Sequence, residues 1–405
     1  MKKLIAISVM LVLLTSAVFA QETSIGFTVE ARANLFDGTL DTAAVTRTTG
    51  GQVAEAYLQA SAASDDGTMG GLVRITQTGA AHRAFVWWKP IEQVQVFFGR
   101  DNDGRYKSNV LARWDFHRGN GGVAREDWDY DAAFPGNWDG FGLAFETYPI
   151  EGLNINLVIP AGNGNAIDVV YPYSLRLTAS YALPSLGTIF FNYTGAGRAP
   201  TTDQDGNFTF GTIGASFLLD GPVENLKAQL GAAIELRAVA ADGDHKNKDN
   251  SILNIGLAAY YDIGEFSIKL RGRVGIPLAP GGADGYGGWY QQDAVAEPGA
   301  WYLQSMFIKG NIMPGYNFGA FSVYCDIGLL MRSFDKVRSA TALNNTEFWV
   351  NPYIKIPLGG GSGNLFAGIY IGNRGVDLPA GVPDEVKALV NPTVIRVPIG
   401  MNFSF

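Results

Sequence analysis

One cysteine, three histidines and no long apolar run past residue 20 set the first limits on this 405-residue chain. A single thiol, Cys325, excludes an internal disulfide framework, and so few imidazoles leave little from which to build a His/Cys metal site. Cys325 therefore reads as an apolar wall residue, and neither a metal nor a cofactor is expected. Beyond Ala20 no stretch approaches the roughly 20 apolar residues that a spanning helix needs, and 51 glycines interrupt the chain throughout. Positive charge is in deficit too. The formal charge is −8, and removal of Lys2 and Lys3 would take it to −10, which argues against a nucleic-acid partner. No Gly-x-Ser-x-Gly elbow occurs that would set a nucleophile beside one of the histidines, so a hydrolase is disfavoured and no catalytic residue is assigned.

The N-terminus supplies the one long apolar run. Lys2 and Lys3 precede an unbroken stretch from Leu4 to Leu14, followed by Val18-Phe19-Ala20 with small residues where a signal peptidase reads. Residues 1–20 are expected to be a secretory signal, leaving 21–405 as the mature protein.

What fills the mature chain is alternation. Ile25, Phe27, Val29 and Ala31 alternate with Ser24, Gly26, Thr28, Glu30 and Arg32, and Phe266, Ile268, Leu270 and Val274 alternate with Ser267, Lys269, Arg271 and Arg273. Side chains on a strand point to opposite faces with period two, so each segment has one oily and one wet face. About eighteen such segments begin near residues 23, 53, 69, 83, 94, 140, 153, 175, 187, 207, 226, 252, 266, 302, 318, 346, 364 and 393. The chain ends on another, with Ile395, Val397, Ile399, Met401, Phe403 and Phe405 on one face.

The connections alternate as well. Short turns such as 64–67, 149–152, 184–187, 262–265 and 359–361 are interleaved with long links at 34–52, 101–139, 160–174, 238–251, 275–301 and 373–392. In an up-and-down sheet alternate connections lie at opposite ends, so a short/long rhythm means that the two ends differ. Short inner turns, long outer loops and an even strand count describe a transmembrane antiparallel β-barrel. A soluble sandwich would bury one face per sheet just as well; it is disfavoured by size, because eighteen strands closing a barrel leave a wide interior that polar residues and water can line, and a propeller's repeat of about 40–50 residues is not found. The expected fold is all-β: a barrel of about 18 strands, with 16 the alternative, in the bacterial outer membrane.

The wet faces then line the interior. The parity directs Arg32, Arg74, Arg176, Arg237, Lys269, Arg271, Arg273, Lys355 and Arg396 inward, along with Lys227, against Glu30, Glu55, Glu146, Glu235, Asp326 and Glu347. A one-residue register slip would push the Lys269-Arg271-Arg273 ladder into lipid at about 2–4 kcal/mol per cation near the midplane, so its inward direction is strongly constrained.

The Gly99-Arg100 exit from the fifth segment, the long acid-rich link after it and the terminal Phe405 resemble the porins of Gram-negative bacteria. The resemblance implies that 101–139 folds inward as a constriction loop, with Asp101, Asp103, Asp115, Glu126, Asp127, Asp129 and Asp131 facing the wall cations. It also implies that the barrel-assembly machinery reads Phe405 and that the protein is a homotrimer. An eighteen-strand count is similar to that of the sugar-specific and substrate-specific members. The expected function is passive diffusion of ions and small hydrophilic solutes through a water-filled channel in outer-membrane lipid. The alternative is a sugar- or substrate-specific channel, in which Trp87 or Trp88, Trp289, Trp301 and Trp349 would form a track for sugar rings; an adhesin is a further rival. Of Trp87 and Trp88 only one can face the lumen. Aromatics such as Tyr181, Phe190, Phe191, Tyr260 and Tyr261 suit interfacial girdles.

Overall fold

The computed structural model describes residues 22–39, 50–105, 110–111, 133–134, 138–161, 175–195, 207–239, 252–277, 302–337, 346–358, 363–373 and 393–404. The expected signal segment and Phe405 lie outside these residues. Eighteen strands are present: β1 (Glu22–Thr39), β2 (Gly50–Ala63), β3 (Met69–Thr76), β4 (Ala81–Ile91), β5 (Val94–Arg105), β6 (Trp138–Thr147), β7 (Leu153–Pro160), β8 (Arg176–Leu183) and β9 (Gly187–Gly195). They continue as β10 (Asn207–Asp220), β11 (Leu226–Val239), β12 (Ile252–Ile263), β13 (Phe266–Pro277), β14 (Tyr302–Asn317), β15 (Ser322–Val337), β16 (Thr346–Leu358), β17 in two pieces (Gly363–Gly368 and Tyr370–Gly372) and β18 (Val394–Ser404). Both pieces of β17 pair with β16 on one side and β18 on the other, so they form one strand interrupted at Ile369.

Each strand pairs antiparallel with the next, and β18 returns to β1 through Thr28↔Ser404, Glu30↔Asn402 and Ala31↔Met401. The sheet is closed and has no open edge. All eighteen expected segments are strands. The start of β15 departs most, at Ser322 rather than near 318, because Phe318–Phe321 form the preceding turn: the Phe318 N–H donates to the Phe321 carbonyl at 2.8 Å, with the two rings stacked at 4.8 Å. Several strands also run further into the long links than alternation alone suggests; β1 continues to Thr39 and β2 starts at Gly50. One connection at the long-loop end is short, the turn between β3 and β4, closed by the Gly79 N–H to the Thr76 carbonyl at 2.9 Å.

The two faces are sorted inside out relative to a soluble protein. Ile25, Val86, Leu230, Ile255, Leu270, Ile312 and Ile327 lie on the outer face and are all substantially exposed, Ile25 by 74%. The buried polar residues, among them Asn156, Gln229, Asn254, Arg271, Lys309, Asn311 and Asp326, lie on the opposite parity. Leaving an aliphatic side chain in water instead of an apolar phase forgoes about 1.5–3 kcal/mol, so an outer surface of this composition requires lipid. Tyr181, Phe191 and Tyr261 lie on that surface. Phe190 and Tyr260 do not: neighbours in sequence must split between faces, and both pack inside against Leu218 and Ala258. The girdle assignment of these two is thereby corrected.

Candidate functional site

The strand alternation brings the inward residues of β12 to β16 into one cationic wall. Pairing in register sets Arg271 opposite Asn311 and Arg273 opposite Lys309 across β13 and β14, and Asp326 follows on β15. Arg271 Nε donates to Asn311 Oδ1 at 2.8 Å, Asn311 Nδ2 to Asp326 Oδ1 at 2.6 Å, and Trp349 Nε1 to Asp326 Oδ2 at 2.9 Å. Arg273 directs Nε and Nη2 to Asn254 Oδ1 at 3.0 and 2.6 Å. Lys309 Nζ lies over the Trp349 ring at 5.8 Å, and Lys269 Nζ over Tyr260 at 5.1 Å. Neutral amide oxygens orient the two guanidiniums. Lys269, Arg271, Arg273 and Lys309 thus gather four cations on the inner face of β13 and β14, with the Asp326 carboxylate linked to Arg271 through Asn311.

Trp349 is fully buried, laid flat over the Cα of Gly328, where a Cβ would overlap its ring. Its indole is a brace for Asp326. It offers no open face for a sugar ring to stack on, which removes it from the aromatic track. Trp87 faces inward and Trp88 faces lipid at 53% exposure, as parity demands, while Trp289 and Trp301 lie outside the described residues.

A second wall, on β3 to β6, is built from different material. Phe85, Phe97 and Ala144 are buried together with Val158 of β7, and Leu72 and Trp87 pack against them. Phe85 and Phe97 meet edge to face at 5.9 Å. Beside them lies a recess of about 770 Å³, lined by Leu72, Phe85, Trp87 and Phe97 with Ser24, Ser61 and Gln95. Charges on this side are spaced out and engaged: Arg83 Nη2 pairs with Asp101 Oδ2 at 2.9 Å, and Arg74 Nε donates to Gln59 Oε1 at 2.9 Å. Glu146 accepts from Asn154 Nδ2 at 3.1 Å and from the Tyr148 hydroxyl.

Three described residues of the link between β5 and β6 bear on a third region. Leu111, Ala133 and Phe134 are buried against Leu218 and Ala258, on β10 and β12. The Leu111 N–H donates to Gln229 Oε1 at 3.1 Å, and the Tyr260 hydroxyl donates to the Leu111 carbonyl at 2.6 Å. Gln229 is itself held by Ser216 at 3.2 Å. All the partners point to the lumen, from strands some six positions round the barrel from where the link begins and ends.

Of the inward cations expected from the sequence, Arg74, Arg176, Lys269, Arg271, Arg273, Lys355 and Arg396 occupy lumen-side positions. Arg271, Arg273 and Arg396 are only 2%, 3% and 6% exposed. Lys227 lies at the short-turn end, ion-paired with Asp220 at 3.1 Å. Arg32 and Arg237 sit on β1 and β11, with side chains outside the description. Asp101 is corrected: it belongs to β5, where it faces Arg83 in register and is fully buried, because the strand alternation continues past Gly99. Asp103 is also on β5, and Asp115, Glu126, Asp127, Asp129 and Asp131 lie outside the described residues. Sequence reasoning passed over Lys309, Asn254 and Asn311. The signal was present: Ile308, Gly310 and Ile312 alternate with Lys309, Asn311 and Met313.

No protein-family model matches the chain, and no curated protein does. Solved structures do. The outer membrane channel DcaP of Acinetobacter baumannii superposes with a TM-score of 0.53 at 10% identity over 95% of this chain and 97% of that one. A BenF-like porin from Pseudomonas fluorescens Pf-5 gives 0.52 at 13% identity over 96% and 99%. OccK1 (OpdK) of Pseudomonas aeruginosa gives 0.53 at 10% identity over 96% and 99%. Closed on itself, apolar without and polar within, the chain has the fold of the bacterial outer-membrane porins.

Proposed function

We propose that the protein is an outer-membrane porin, a water-filled channel through which ions and small hydrophilic solutes diffuse passively, with preference for anions. The observation that carries this reading is the cluster of Lys269, Arg271, Arg273 and Lys309 on the inner face of β13 and β14, in a closed barrel whose outer face is apolar. Eighteen strands enclose a lumen too wide for inward side chains alone to fill. Fixed charge along such a lumen raises the local concentration of counter-ions and sets which sign passes. The contacts of Leu111 and Phe134 with the lumen side of β10–β12 support the link between β5 and β6, residues 106–137, as a constriction loop in place of the expected 101–139. The acidic residues Asp115, Glu126, Asp127, Asp129 and Asp131 belong to the same link. A secretory signal at 1–20, recognition of Phe405 by the assembly machinery and a homotrimer complete the reading.

The test is single-channel recording of the refolded, full-length mature protein in a planar bilayer, with the reversal potential taken in a salt gradient. The expected result is stable conductance in steps of three and a reversal potential of anion-selective sign. A correctly folded barrel that passes no current would overturn the reading. Block by added maltooligosaccharide would move the assignment to a sugar-specific channel.

A further inference from the structure

Two glycines face each other on the inner wall, Gly231 on β11 and Gly256 on β12, directly paired in register. Glycine contributes no side chain to the sheet, so a facing pair on the inner wall leaves room for a close approach, whereas the paired Gly272 and Gly310 on the lipid face have no side chain or backbone nearer than 3.5 Å to an added Cβ. That something is Phe134. A Cβ on Gly256 would lie 2.6 Å from Ala133 Cβ and 2.8 Å from Phe134 Cε2, and one on Gly231 would overlap the same ring and sit 2.7 Å from the Ala133 carbonyl. The register continues the row outward to Ser216 on one side and to Arg273 on the other, so the glycine floor borders the cationic wall.

We infer that the Gly231–Gly256 pair is a seat for Phe134 and that this seat, together with the clamp of Gln229 and Tyr260 on Leu111, anchors the link between β5 and β6 to the inner wall at two points and thereby limits the conductance. The inference rests on the pore reading for its effect on conductance, though not for the docking itself. Leu111 and Phe134 are separated by 22 intervening residues, and both ends of that stretch are fixed to the same patch of wall. The ring supplies the apolar contact, and the clamp satisfies a main-chain donor and acceptor that would otherwise be buried without partners. The seat accepts a flat ring because both floor residues lack a Cβ; one added at Gly231 would meet the Ala133 carbonyl oxygen as well as the ring.

The experiment substitutes Gly231→Leu and Gly256→Leu in the full-length mature protein, with Gly272→Leu as control. Gly272 lies on the lipid face, where the nearest atom to an added Cβ is the Lys309 carbonyl oxygen at 3.7 Å. Phe134→Ala removes the ring and leaves the wall intact, which covers the case of glycine variants that fail to fold. Two readouts are taken: single-channel conductance and hydrogen exchange at the Leu111 amide. Seat variants and Phe134→Ala are expected to lose protection at Leu111 and to change conductance by roughly twofold as the anchor is released, while the control does neither. Retained protection at Leu111 in Phe134→Ala would overturn the inference, as would unchanged conductance alongside lost protection. A wild-type barrel that conducts nothing would sink the pore reading alone, and the exchange readout would still judge the seat.

Discussion

The walls on either side of the lumen are made by the same rule and from opposite materials. On β3–β6 the inward positions carry Phe85, Trp87, Phe97 and Ala144, and the charges present are paired, as Arg83 is with Asp101. On β12–β16 they carry Lys269, Arg271, Arg273 and Lys309 with Asn254 and Asn311 as neutral orienting groups. The outer faces of both walls are equally apolar, with Val86 and Phe98 on one and Leu270 and Ile312 on the other. Lipid therefore imposes one requirement all round the barrel, while the lumen leaves each wall free to specialise. The contrast assigns selectivity to one wall and packing to the other.

The sharpest way to break the contrast is to reverse the cationic wall. Arg271→Glu combined with Arg273→Glu replaces two of the wall's cations with two anions, and the reversal potential in a salt gradient is expected to change to the cation-selective sign. An unchanged sign would place selectivity elsewhere. Next in size is a change on the shared outer face: Leu270→Arg puts a cation into lipid, and a cost of about 2–4 kcal/mol near the midplane should appear in reversible unfolding from micelles or vesicles. Glycine at Leu270 would separate lost packing from the charge.

A smaller effect is expected from Phe97→Ala on the aromatic wall. Deleting a buried ring ordinarily costs about 3–5 kcal/mol, and the open recess beside Phe97 should allow relaxation to the low end or below it. Ion preference should not move; a shift in reversal potential as large as that of the arginine pair would erase the division between walls. The smallest effect lies outside the membrane, in the turn between β2 and β3. There the Ser64 hydroxyl and the Thr68 amide and hydroxyl donate to Asp66 at 2.7, 3.0 and 2.8 Å. These bonds favour the ionised carboxylate and hold its pKa at about 2, well below the ordinary 3.8. A depressed pKa means that the contribution of this turn is present above pH 3.8 and is lost as pH falls through about 2. NMR titration of the Asp66 carboxyl would check it; a midpoint near 3.8 would count against the turn geometry.

Much of this architecture was legible one residue at a time. The alternation of Phe266 to Val274 with Ser267 to Arg273 orients β13 without reference to anything else in the chain, and the same reasoning divides Trp87 from Trp88. The ladder reads correctly because a misplaced cation in lipid is too costly to be tolerated. Parity applied to adjacent pairs would also have separated Phe190 from Phe191 and Tyr260 from Tyr261, and it would have found Lys309. What parity could not supply is a partner. Asp101 looked like the first acid of a loop, yet β5 carries it into register with Arg83; Trp349 looked like a platform and is a buried brace for Asp326.

The sequence by itself determined the strands, their faces and the apolar exterior, because a strand repeats every two residues and lipid enforces the repeat locally; the choice of eighteen over sixteen came from the closed sheet. Only the tertiary structure decided that Phe134 meets Gly231 and Gly256, that Leu111 meets Gln229 and Tyr260, and that Asn311 links Arg271 to Asp326. Those contacts join residues about 100 or more positions apart, or strands whose relative height is set by register. They depend on the closure of the barrel, which no local period encodes.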